Sequence, residues 1–267
     1  MLGQVLNDYL SKESPYQLSW TKDISLSAGA LGLYSLGVNR LRNEDQNAFT
    51  VGQFSQRDIE QINIIDRQFA GTWNPRAKNI GKPFVYTSSI AIPISLMALP
   101  GNLRARASLA LMFYQGYYLT GGFVTLSKAM TNRFRPFTYL SAIQVEDLDT
   151  EFRTEFLEDI EGSDIEDSFF SGDAAKTAYG FVFFAKTYSD YFPDSKYRKV
   201  VWGISLASIG IQNYYRVRSG KHFPTDVLVG SLVGGGIAYI IPYLHLKKGN
   251  AQLRTGGQGI SLVYSIR

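Results

Sequence analysis

Uncharged stretches recur along the chain at 24–39, 84–103, 107–127, 200–215 and 227–246, with polar segments between them. Several approach the roughly 20 residues that a helix needs to cross a bilayer core. A sixth stretch, 174–192, has the length but carries Lys176, Lys186 and Asp190, which must face protein or water or sit centrally in a bundle. Leu, Ala, Gly, Ser and Tyr dominate these stretches without strict alternation, so the pattern predicts helices and almost no sheet. Gly230 and Gly234–Gly236 are spaced for close helix packing. The predicted fold class is all-α, a six-transmembrane-helix bundle. A soluble helical bundle is the alternative, because the apolar stretches are short and interrupted.

No Gly/Ser/Pro-rich linker and no repeat divides the 267 residues, which favours a single domain over 24–246. Residues 1–23 read as a polar, interfacial lead-in without the basic start and apolar core of a secretory signal, and 247–267 as a basic tail. Charged residues make up 19%, below the roughly 25% of a soluble domain, which leans towards lipid contact. A mean hydropathy of -0.09 pulls the other way and requires long polar segments between spans. Cysteine is absent, so disulfides and thiolate metal sites are excluded.

The net charge of +4 hides an asymmetry: residues 146–167, inside the predicted acidic loop 141–167, hold 11 of the 23 acidic residues and one base, Arg153. This loop is read either as a solvated face or as a gate for a headgroup. The basic surplus elsewhere suits an anionic lipid or phosphorylated substrate. It is scattered, and no helix-turn-helix or zinc spacing appears, so nucleic acid is not an expected partner. With six spans, Arg104, Arg106, Lys196, Arg198, Lys199, Lys247 and Lys248 lie near span ends on one side, which the positive-inside rule assigns to the cytoplasm. The expected arrangement is multi-pass, with the motifs described next on the outer side.

Three separated pieces carry candidate chemistry. Lys128 and Arg135 are seven residues apart at the end of an uncharged stretch, two helical turns, so both cations are expected on one face before Pro136 stops the helix. Ser171-Gly172-Asp173 opens the next stretch, where serine suits an N-cap and the following N–H groups suit an anion; plain capping is the simpler explanation. Arg216, His222 and Asp226 flank a break near Gly220, with Pro224 at a helix start. A carboxylate there can accept one imidazole N–H, fix the tautomer and leave the other nitrogen free to attack.

The order K-x6-R-P, S-G, R-x5-H-x3-D resembles the three-part signature of the type 2 phosphatidic acid phosphatases and their relatives, the bacterial class A acid phosphatases and vanadium haloperoxidases, over residues 128 to 236. The run from Gly220 to Gly230 is similar to that of the membrane-bound bacterial members, which implies a bacterial inner membrane location, multi-pass, with the site facing the periplasm or outside. The resemblance implies a phosphohistidine intermediate on His222, oriented by Asp226. Lys128, Arg135, Arg216, Ser171 and Gly172 would then hold phosphoryl oxygens. The implied substrate is a phospholipid or polyprenyl phosphate in the membrane: phosphatidate, phosphatidylglycerophosphate or undecaprenyl diphosphate. Three cations and a helix start neutralise oxygen charge, so no metal and no cofactor are expected.

The chain departs from the family at Asp173, where the family has a histidine that protonates the leaving oxygen. The other histidine, His245, lies 23 residues beyond His222, roughly 34 Å along a continuous helix, too far to substitute. Three explanations stay open: Asp173 acts as the acid, a diphosphate substrate expels a leaving group that needs no proton, or the chain is an attenuated or silent phospholipid-binding relative. A vanadate-dependent oxidase is a further alternative. Tyr215 and Phe170, where the family usually has Ser and Pro, bear on fine geometry.

Overall fold

The computed structural model describes residue 4 and residues 9–42, 49–161 and 165–247, with the backbone alone for 251–256 and 259–264. The helices in chain order are α1 (Trp20–Arg42), α2 (Gln56–Gln61), α3 (Ile64–Arg67), α4 (Pro75–Tyr86), α5 (Ile92–Leu96), α6 (Leu103–Thr131), α7 (Ala142–Glu146), α8 (Thr150–Glu161), α9 (Gly172–Tyr191), α10 (Arg198–Arg218) and α11 (Pro224–His245). A π turn, Thr87–Ala91, joins α4 to α5 as one rod, so the long helical segments follow the uncharged stretches. Pro83 and Pro93 flank that turn, and the wider turn absorbs the hydrogen bonds that proline cannot donate.

The rod α9 is the axis of the bundle. Ala174, Ala178, Tyr179, Phe183 and Thr187 along it are buried, and the Tyr179 ring meets Phe113 of α6 at 5.3 Å. α11 packs against it so closely that a Cβ at Gly230 would lie 2.6 Å from the Ser171 carbonyl oxygen, and one at Gly234 would lie 2.0 Å from that of Ala175. The small residues therefore set the α9–α11 distance, and with it the approach of Ser171 to Asp226.

Among the described residues α11 is the one helix long and apolar enough to cross a membrane by length and composition. The other long helices carry more polar and charged residues, and several of these turn inward. Gln115 of α6 donates to the Asp23 carbonyl oxygen at 3.1 Å, His245 Nε2 lies 2.6 Å from Asp23 Oδ1, and Tyr16 donates to Asp190 at 2.6 Å beside Lys186. His245 is thus a buried group at the far end of α11 from His222. Large apolar side chains face outward instead, among them Leu31, Leu36, Ile94, Ile204, Leu228 and Leu232.

Ala251–Gly256 and Gly259–Tyr264 pair as an antiparallel hairpin, within the expectation of almost no sheet. Two expectations require correction. The acidic segment is not a loop: a Ser141–Gln144 capping box starts α7, and α8 buries Phe156 against Phe137, Val145 and Trp73 in a small core of its own. Lys128 and Arg135 do not share a helix face. α6 stops at Asn132, which adopts a left-handed conformation (φ 41), and Arg135 is extended ahead of Pro136, as a residue before proline must be.

If backbone approach at Gly234 holds the bundle together, Gly234→Val will lower the thermal midpoint by an amount equivalent to about 1–3 kcal/mol or more. Gly236→Ala, where no atom lies within 4 Å, will be neutral or slightly stabilising in the same melt.

Candidate active site

The link between α10 and α11 is a tight reversal. Gly220 has φ +74, and a Cβ there would lie 1.8 Å from the Thr72 carbonyl oxygen, so no other residue fits. That reversal seats His222, 2% exposed, behind the start of α11. Its Nδ1 lies 2.8 Å from the Ser168 carbonyl oxygen. A carbonyl only accepts, so Nδ1 carries the proton and a neutral ring keeps its lone pair on Nε2. Burial, with the Arg135 and Arg216 guanidinium groups nearby, pushes the imidazole down to about 3 against the pull of Asp226. The ring is therefore uncharged near neutrality.

Asp226 does not bond this ring directly, which corrects the expected pairing. Its Oδ2 is 3.8 Å from Nδ1 and accepts instead from the Ser168 hydroxyl at 2.6 Å and the Phe223 N–H at 2.8 Å. Asp226 holds Ser168, and Ser168 holds His222. The other carboxylate oxygen takes Arg133 Nη1 at 2.5 Å, while Arg133 Nη2 reaches the fully buried Asp66 of α3 at 2.7 Å. Burial alone would raise the Asp66 carboxyl, but hydrogen bonds from Arg133, Thr225 and Asn63 outweigh it and hold the group below its usual value. The Arg133 guanidinium also lies 4.4 Å from the Phe223 ring centre, so one side chain braces the whole reversal.

Beside this frame lies a cavity of about 680 Å³, lined by Arg135, Asp173 and Arg216 from the three motifs, by Lys221, by Lys78 and Lys82 of α4, and by Glu155, Glu158 and Asp159 of α8. Arg135 is fixed by donating to the Lys221 carbonyl oxygen at 3.1 Å. Arg216 Nη2 sits 3.1 Å from Asp173, and its Nε is buried with no partner among the described residues. Asp159 accepts from Lys78 at 2.7 Å, Lys221 at 2.9 Å and the Trp73 indole at 3.2 Å. Burial pushes the Lys221 ammonium down to about 8, with Asp159 pulling the other way.

Ser171 caps α9, accepting from Ala174 N at 3.3 Å, and Gly172 follows with Val124 3.1 Å from where its Cβ would be. Lys128 does not line the cavity; its ammonium lies 3.9 Å from Asp167 of the acidic segment. Sequence reading missed Ser168, Arg133, Asp66, Lys221, Lys78 and Asp159. Arg133 and Lys221 stand inside the recognised motifs, where a surplus cation was the available signal. Asp66, 160 positions before Asp226, offered none.

The depressed His222 value carries a stability consequence. As pH falls below the ordinary value of 6.5 the unfolded chain takes up this proton and the folded protein does not, so stability is lost from there down towards about 3. Thermal midpoints from about pH 7 to about pH 4 will therefore fall more steeply for the native chain than for His222→Asn.

Residues 109–250, just over half of the chain, match the PAP2 superfamily. A search of curated proteins finds no match. The crystal structure of Aquifex aeolicus LpxE is similar to 72% of this chain and 98% of that one, at 22% identity and a TM-score of 0.40. The chain belongs to the PAP2 superfamily, the type 2 phosphatidic acid phosphatases.

Proposed function

We propose that the protein is a multi-pass membrane phosphohydrolase that removes phosphate from a phosphorylated or diphosphorylated lipid through a phosphohistidine on His222. The observation that carries this reading is a neutral, oriented imidazole next to a cavity walled by two guanidinium groups. His222 Nε2 attacks phosphorus, and the P–O bond to the leaving oxygen breaks. Arg135 and Arg216 hold the non-bridging oxygens, and the unpartnered Arg216 Nε is a donor ready for one of them. The start of α9 at Ser171 and Gly172 adds N–H dipoles, and Lys128 a more distant positive charge. Asp226 acts through Ser168 to keep the tautomer. Water then attacks the phosphohistidine and frees phosphate. No metal enters this scheme, so chelators should leave turnover unchanged.

Membrane insertion is supported by the inverted surface, with apolar residues outside and paired charges inside. With the basic span ends cytoplasmic, the cavity would open to the outer face of a bacterial inner membrane. Headgroups of the phosphatidate, phosphatidylglycerophosphate or undecaprenyl diphosphate kind are the candidates.

A second reading is favoured by the ion pair between Asp173 and Arg216. A protonated carboxyl could not make that pair, so Asp173 is poorly placed as an acid. It also gives Arg216 an internal anion that a phosphate must displace, as expected of a silent lipid-binding relative.

Phosphate release from the three lipids by purified protein separates the two. A phosphohydrolase will show turnover that His222→Asn lowers by about 10³-fold or more, with acid-labile label on the native chain only. A silent binder will show none until Asp173→His supplies an acid.

A further inference from the structure

A lipid alkoxide leaves phosphorus slowly unless a proton meets it, so the cavity must contain a donor if phosphomonoesters are substrates. Arg135 and Arg216 cannot serve, because a guanidinium does not release its proton near neutrality. Asp173 is committed to Arg216 as a carboxylate. His222 is the nucleophile, and its Nδ1 proton is held by Ser168. Of the three lysines lining the cavity, Lys78 has a side chain 29% exposed and Lys82 is exposed, whereas Lys221 is 5% exposed and adjoins His222 in the chain.

Resting on the phosphohydrolase reading, we propose that Lys221 is the general acid of the first step and the general base of the second. Nζ gives its proton to the leaving oxygen as the P–O bond breaks, and becomes a neutral amine. That amine then takes a proton from the water attacking phosphorus. The P–N bond electrons return to His222 Nε2, and Lys221 regains its charge.

Asp159 is what makes the cycle feasible. While Lys221 is neutral, the buried carboxylate still accepts from Lys78 and Trp73, so no bare charge is left behind. The ammonium also rests 4.5 Å from the Phe137 ring, which fixes its position without offering a proton acceptor. Burial places its value at about 8, close enough to neutrality for transfer in both directions. The charges around Nζ are Asp159 of α8, Lys78 of α4 and Arg135, with the Arg216–Asp173 pair lining the same cavity. Lys82, Tyr86, Glu155 and Glu158 also line it, from less buried positions than Lys221.

Leaving-group dependence tests this on the full chain in detergent. Lys221→Arg keeps the positive charge but cannot release a proton. It should lower kcat/KM on phosphatidate, which reports the first step alone, by about 10²-fold to 10⁴-fold while changing kcat/KM on p-nitrophenyl phosphate, whose leaving group needs no acid, less than about threefold, and it should lower kcat on both esters through the lost base. Equal losses of kcat/KM on both esters, or none, would overturn the assignment. Should the variant not fold, the native protein alone decides. Across a series of aryl phosphates its kcat/KM should vary little with leaving-group basicity below about pH 8 and steeply above it, and a steep dependence throughout would overturn the acid role. No turnover of any ester by the native chain would instead sink the phosphohydrolase reading on which this rests.

Discussion

One buried carboxylate organises the site. Asp226 has no exposed surface, and an ionised group so placed must be fully partnered or it unfolds its surroundings. Its partners come from separate parts of the chain: Arg133 after α6, Ser168 before α9, and the Phe223 amide at the reversal. Satisfying that one charge therefore pulls all three motifs together. The position of His222 follows, because its ring is held by the residue whose hydroxyl Asp226 holds. The imidazole proposed as the nucleophile is oriented at one remove, through backbone, and a backbone carbonyl is less mobile than a side-chain carboxylate.

The same constraint reaches into the first third of the chain. Arg133 spans Asp226 and Asp66, so α3 is tied to the reversal although it contributes nothing to the cavity wall. Gly220 meets the Thr72 carbonyl just beyond it. Polar contacts of this kind act together with aromatic packing, in which Phe54 meets Phe134 and Tyr139, and Tyr139 meets Phe223 at the reversal.

The helical rods were legible because uncharged stretches interrupted by Pro, Gly and charge mark their own limits, and the Gly230–Gly234 spacing announced a close helix pair. His222, Arg135 and Arg216 were legible because few other roles suit those residue types at a helix break. The contact between Lys128 and Arg135 was misjudged because nothing in the letters shows that Asn132 turns left-handed and ends α6. Asp226 was placed correctly at the start of α11, yet its choice of Ser168 at 2.6 Å over His222 at 3.8 Å depends on how the segment before α9 folds back, which the letters do not show. The acidic segment was misread since charge density masked Phe152, Phe156 and Ile160, which recur at helical spacing. Asp66 and Asp159 were invisible, as long-range pairing leaves no trace in a single sequence.

The small apolar core beneath α8 has a consequence for how this scaffold can vary. Because Phe156, Trp73 and Phe137 anchor the segment independently of the α6, α9 and α11 packing, its outward carboxylates, Glu155 and Glu158, can be exchanged without disturbing the reacting centre. Variation along this helix is thus open at Glu155 and Glu158 and closed at Asp159, whose carboxylate holds Lys221 at 2.9 Å.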